Sequence, residues 1–225
     1  MRSAAVCFDL DDTLFDHRGA ARTGARRFLG DLGVDVDEAV LAEWSRAEDV
    51  QYERWRTGEI DFPEQRRERL RTVLPPLGIA VPTDDAGLDA LFGAYLAAYR
   101  EAWRVFPDVL PLLRSLRDRG YRLGLQTNGS EAQQLDKLTV TGLTDAFDTV
   151  CVSERIGVQK PDPRAFALLS EQLGVEPKAC LFVGDDPEKD VRGARRAGMR
   201  ALLVDRADPG APDLQTLVRT ALGAD

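Results

Sequence analysis

The sequence has 225 residues and a formal net charge of −8, from 38 acidic and 30 basic side chains. That balance excludes a general binder of nucleic acid or anionic membrane, because phosphate backbones are held through Lys and Arg fields. A small phosphorylated partner stays admissible, since one site in an acidic protein can be locally positive or hold a metal. No apolar run reaches membrane-spanning length, and no secretory h-region stands at the start. The three cysteines, Cys7, Cys151 and Cys180, fit neither a disulfide framework nor a zinc site. A cytoplasmic chain with buried free thiols is expected.

The first element is an apolar run, residues 4–9, too short for a helix and read as a buried strand. Residues 17 to about 104 then carry almost no strand signal. Val40, Leu41, Trp44 and Ala47 recur at helical spacing, as do Leu88, Leu91, Phe92, Tyr95, Leu96, Tyr99 and Trp103. Breakers at Gly33, Gly58, Pro63, Pro75-Pro76 and Pro82 separate several helices. From Pro107 the pattern changes. Helices are predicted near 108–119, 130–141, 162–173, 187–197 and 212–222, with strands at 121–126, 149–152, 181–183 and 201–204 between them. Strand–helix repetition of this kind predicts an α/β, Rossmann-like parallel sheet with helices on both faces. The expected division is a core of residues 1–16 and 105–225 with an inserted all-helical domain of residues 17–104.

In a parallel α/β sheet, ligands bind beyond the carboxyl ends of the strands. Four polar blocks fall there or at the following helix start: Asp9-Leu10-Asp11-Asp12-Thr13, Thr127-Asn128-Gly129, Lys160-Pro161, and Gly184-Asp185-Asp186 with Asp190 one turn on. Carboxylates gathered at one point repel, and a hard divalent cation such as magnesium removes the conflict. Cation, lysine and threonine hydroxyl together describe a cradle for a phosphoryl group, and an aspartate facing the phosphorus can attack it.

These four blocks, in this order, resemble the motifs of the haloacid dehalogenase superfamily, and the helical segment resembles the cap of its first cap class. Within that class the chain looks most like phosphatases and nucleotidases acting on nucleoside monophosphates or sugar phosphates. The resemblance implies roles. Asp9 matches the nucleophile and Asp11 the general acid. Thr127, Asn128 and Lys160 match the phosphate-binding group. Magnesium would be held by Asp9, Asp11 through its backbone carbonyl, and Asp185. Thr13 would keep the loop's shape, and Asp186 and Asp190 would stand behind the metal. The implied partner is a small-molecule phosphate ester. Oligomeric state is not legible.

Rival readings are a dehalogenase or phosphomutase of the same superfamily, a receiver module, or a non-catalytic phosphate-binding module. Dehalogenases typically lack the acid two residues after the nucleophile, so Asp11 favours phosphoryl transfer. A phosphonate hydrolase would want a cap lysine, and residues 17–106 contain none. Receivers are about half this length. A bare binding module should have lost Asp9, Asp11, Lys160 or Asp185. His17, the single histidine, is expected at the surface or the hinge of the insert. Arg66, Arg67, Arg69 and Arg71 are expected on a solvated helix face, and Trp44, Trp55 and Trp103 in the core of the insert. Hinges near 14–19 and 104–108 would let the insert open and close.

Overall fold

The computed structural model describes residues 4–208 and 210–223. The chain divides into two compact units. One runs through Asp16 and resumes at Arg104, and the other is His17–Trp103.

The first unit begins with β1 (Ala5–Phe8), whose four residues are completely buried. Such a strand belongs in the middle of a parallel sheet, covered on both faces.

The second unit follows and contains α1 (His17–Asp31), α2 (Glu38–Arg56), α3 (Phe62–Val73) and α4 (Asp85–Glu101). Asp37, Asp61 and Asp84 cap α2, α3 and α4, each accepting a hydrogen bond from a backbone N–H of the first turn. Its core packs Phe28, Trp44 and Tyr95 in tilted contact and stacks Tyr95 on Tyr99. Gly24 lets α1 lie against α4: a Cβ there would meet the Tyr99 backbone at 2.7 Å. Trp55 packs edge-on against Tyr52 and Phe62. His17 joins Tyr99 Oη through Nδ1 at 2.8 Å, with Glu48 3.6 Å from its other nitrogen. The arginine run does not lie on one solvated face. Arg69 is buried under Trp44, Phe92 and Tyr95, and its charge is met by Glu48 at 3.1 Å. Leu70 and Val73 turn their side of α3 inward, and Arg69 turns with them.

The rest of the first unit is α5 (Val109–Asp118), β2 (Arg122–Thr127), α6 (Glu131–Val140), β3 (Thr149–Val152), α7 (Ser153–Ile156), α8 (Pro163–Leu173), β4 (Cys180–Gly184), α9 (Gly193–Arg196), β5 (Arg200–Leu203) and α10 (Leu214–Leu222). Among the described residues the strands form one parallel sheet in the order β3-β2-β1-β4-β5, with helices around it. Leu169, Leu173 and Phe166 of α8 pack with Cys7, Cys151, Cys180 and Phe182. The three thiols are free and buried. Two features depart from the expected helices. The short α7 directly follows β3, where no helix was predicted. Residues Pro187–Arg192 form a π-helical turn, closed by Val191 N to Asp186 O at 3.2 Å, before the brief α9. That wider turn carries Asp190 inward, and such bulges are frequent at functional sites.

The sheet order reverses direction at β1, with β2 on one side and β4 on the other. The crevice beyond the carboxyl ends of these strands is therefore the expected binding position.

Candidate active site

Asp9 leaves β1 with its N–H still bonded to Val183 O of β4 at 2.9 Å. The chain then turns tightly. Leu14 and Phe15 N–H groups return to Leu10 O, and Asp12 takes the left-handed region (φ 57°), which Asp tolerates better than most residues. Thr13, completely buried, donates its hydroxyl to Asp9 Oδ2 at 3.3 Å. Its carbonyl accepts from Arg206 Nε at 3.0 Å and Nη2 at 2.9 Å. Arg206 lies over Phe106 and pairs with Asp108 at 2.8 Å. The segment after β5 thus clamps the loop that carries Asp9.

Asp185 follows β4, the strand beside β1. One carboxylate oxygen from each of Asp9, Asp185 and Asp190 lies within 4.8 Å of the others. Gly184 makes room for Asp190, whose Oδ2 sits 2.3 Å from where a Cβ would be. Lys160 Nζ bonds Asp9 Oδ1 and also Asp190 Oδ1 at 2.6 Å. Asp190 Oδ2 accepts the Asp186 N–H at 3.1 Å. The lysine is 3% exposed and Asp190 1%. Burial alone would discharge Lys160, but the Asp190 and Asp9 carboxylates outweigh it and hold the amine protonated well above its usual range. Burial drives the Asp9 carboxyl upward against the pull of Lys160, and Asp190 and Asp185 add to the rise.

Two of the expected residues have defined protein partners. The Asn128 side chain is committed to Lys160's main chain, donating to its carbonyl and accepting its N–H, both at 2.9 Å. It fixes the lysine's position. Asp186 does not join the carboxylate cluster. It caps the π-turn, accepting from Glu188 N and Lys189 N, and pairs with Lys189 Nζ at 3.0 Å. Asp190, placed behind the metal in the sequence reading, stands in the cluster itself.

Thr127 ends β2 buried, and Gln134 Nε2 donates to its hydroxyl oxygen at 2.5 Å. The Thr127 proton is thus left to point elsewhere. Asp11 meets α6: Oδ1 is 2.6 Å from Lys137 Nζ, and Oδ2 accepts from Gln134 Nε2 at 3.0 Å. Neither Gln134 nor Lys137 was singled out from the sequence. The available signal was their three-residue spacing after Thr-Asn-Gly, which alone reads as an ordinary polar helix face.

The donor set fits a hard divalent cation. Three clustered carboxylates beside one buried ammonium offer only oxygen donors.

A family profile described as haloacid dehalogenase-like hydrolase matches residues 4–198. Over 205 residues the chain is 35% identical to a glyceraldehyde 3-phosphate phosphatase of Methanopyrus kandleri, covering 90% of this chain and 84% of that protein. It is 32% identical to a ribulose-1,5-bisphosphate 5-phosphatase of Halopiger xanaduensis, covering 92% and 86%. Among solved structures, the magnesium-bound HAD-hydrolase YfnB from Bacillus subtilis matches with a TM-score of 0.84 at 21% identity, covering 99% of this chain and all of that one. At that identity the likeness speaks for the fold. The chain belongs to the haloacid dehalogenase-like hydrolases, and it is an enzyme of the phosphatase type. No helix among the described residues is long and apolar enough to cross a membrane.

Proposed function

We propose that this protein is a magnesium-dependent phosphatase that hydrolyses small phosphate monoesters through an aspartyl-phosphate on Asp9. The observation that carries the proposal is the setting of Asp9: buried at the end of β1, bonded to Lys160 and Thr13, and sharing one point with Asp185 and Asp190. Asp9, Asp185 and the Asp11 backbone carbonyl would hold the magnesium, with Asp190 beside them. When bound, the ion supplies charge neutralisation at the transferring phosphoryl group.

An Asp9 oxygen attacks phosphorus while the bond to the leaving oxygen breaks, and Asp11 protonates that oxygen. Asp11 then takes a proton from water, whose oxygen attacks the same phosphorus, and Asp9 is released as a carboxylate. Lys160 and the Thr127 hydroxyl hold phosphate oxygens throughout. Asn128 keeps Lys160 in place. An acid at Asp11 suits an alkoxide leaving group and is superfluous for halide departure, so the dehalogenase reading is disfavoured.

The substrate class is a phosphorylated sugar, sugar acid or nucleoside monophosphate. Relatives named for glyceraldehyde 3-phosphate, ribulose-1,5-bisphosphate and phosphoglycolate support it, as does a pyrimidine 5'-nucleotidase. The unit His17–Trp103 is proposed as the selecting cap. The test is phosphate release from para-nitrophenyl phosphate and a sugar-phosphate and nucleotide panel, with magnesium or chelator, for wild type and Asp9→Asn. Turnover that needs magnesium and vanishes in Asp9→Asn is expected. Full turnover in Asp9→Asn would refute the covalent route.

A further inference from the structure

We propose that Gln134 and Lys137 are positioning residues that hold the Asp11 carboxyl group in the orientation from which, as the protonated acid, it protonates the leaving group. The inference rests on Asp11 being the general acid.

Asp11 sits on the turn after β1, and its side chain is 29% exposed. An unrestrained, half-exposed aspartate on a turn would sample several rotamers. Here both oxygens are claimed by one helix: Lys137 Nζ takes Oδ1 at 2.6 Å and Gln134 Nε2 takes Oδ2 at 3.0 Å. Two bonds to two different oxygens fix the plane of a carboxylate as well as its position. One bond would leave it free to spin. Gln134 and Lys137 are three residues apart on α6 and so share a face.

The two donors are themselves immobilised. Gln134 is 2% exposed and Lys137 3%. Burying an ammonium is costly without a partner, so Lys137's burial is bound up with Asp11. Its Nζ also lies 4.9 Å from the centroid of Phe15, on the same turn as Asp11. The start of α6 is pinned to the strand-end region beside it. Ser130 caps the helix, Gly129 N donates to Ser153 Oγ at 3.0 Å, and Glu131 N donates to Glu154 Oε2 at 2.7 Å.

The Gln134 amide reaches further. Besides Asp11 it donates to Thr127 Oγ1, and the Asn128 carbonyl lies 3.3 Å from the same nitrogen. One side chain therefore sets the acid and the phosphate-binding hydroxyl relative to each other. Misplacement of a reacting group by about 1 Å can cost on the order of a hundredfold in rate, so a clamp of this kind bears directly on turnover.

A purely structural pair would lower activity on every substrate alike. A pair that aims an acid acts only where the leaving oxygen needs a proton. The experiment measures kcat/KM, which reports the phosphoryl-transfer half of the reaction, for Lys137→Met, Gln134→Leu, Lys137→Arg and Asp11→Asn. Each is assayed on para-nitrophenyl phosphate, whose leaving group departs readily as an anion, and on the best alkyl phosphate, whose leaving group does not. Lys137→Met is expected to lose about 100-fold on the alkyl ester and less than about 5-fold on the aryl ester. Gln134→Leu should show the same skew, and Lys137→Arg should regain most of the alkyl activity. Equal losses on both esters, or none, overturn the inference. Thermal melts identify a variant that does not fold, in which case Lys137→Arg and Gln134→Leu decide. Asp11→Asn separates the two readings. If it shows no skew, the general-acid assignment itself falls. If it shows the skew and the α6 variants do not, only the clamp falls.

Discussion

Gly184→Ala puts one methyl group into the tightest point of the carboxylate cluster. The added Cβ would stand 2.3 Å from Asp190 Oδ2, 2.4 Å from its Cγ and 2.5 Å from its Cβ. Ordinary contact begins near 3.4 Å, so the Asp190 side chain must retreat by about 1.1 Å. It has nowhere easy to go. Oδ1 is bonded to Lys160 and Oδ2 to the Asp186 N–H, and the residue is 1% exposed. The displacement therefore reaches Lys160 and through it Asp9. A reacting group misplaced by about 1 Å costs on the order of a hundredfold in kcat, and overpacking a buried position costs about 1–3 kcal/mol in stability. The assay is magnesium-dependent kcat on para-nitrophenyl phosphate beside a urea melt. A fall of about 100-fold in kcat with a stability loss of no more than about 3 kcal/mol is expected. Activity within threefold of wild type would show that Asp190 does not position Lys160, and the reasoning would be wrong.

Lys160→Met leaves Asp9 and Asp190 facing each other without their shared cation, a loss of about 3–5 kcal/mol for a buried pair. Magnesium should recover part of it, so urea melts with magnesium and with chelator must differ more in the variant than in wild type. Asp108 gives a pH signature. Burial pushes its carboxyl up, but the Arg206 guanidinium and the Leu214 N–H outweigh burial and hold it below the ordinary carboxylate range. Its contribution is fully present above the unfolded value of about 3.9 and is lost as pH falls through the lower folded value. Asp108→Ala should cost about 1–2 kcal/mol at pH 7, and the gap to wild type should close in melts taken at progressively lower pH below about 4. A gap that is constant with pH would exclude the Arg206 pairing as its source. Gly24→Ala drives a Cβ to 2.7 Å from the Tyr99 backbone and should lower stability by about 1–3 kcal/mol, read from the melting temperature.

The order of the elements was legible because each rule involved is local. An apolar run such as residues 4–9 is too short for a helix and reads as a strand, and alternation of such runs with capped helices implies a parallel sheet. Asp9, Asp11, Thr127, Lys160 and Asp185 could be picked out because strand ends converge in such a sheet. The short α7 was missed because four residues carry too little periodicity to register. The π-turn at Pro187–Arg192 was missed because its pattern reads as a normal helix; only the inward Asp190 distinguishes it. Arg69 read as solvated because a charge in a basic run gives no sign of the aromatic roof and the Glu48 that let it be buried.

By itself, then, the sequence determined the strand–helix alternation and the set of chemically able side chains at the strand ends, since both follow from spacing along one chain. Tertiary structure alone decided how those side chains divide their work. It committed Asn128 to Lys160, sent Asp186 to a helix cap while drawing Asp190 into the cluster, and brought Gln134 and Lys137 against Asp11. The Asn128 and Asp11 pairings join residues from different elements, 32 positions apart for Asn128 and 123 and 126 for Asp11. A pairing of that kind is set by where the sheet and helices place two backbones, which no local pattern encodes.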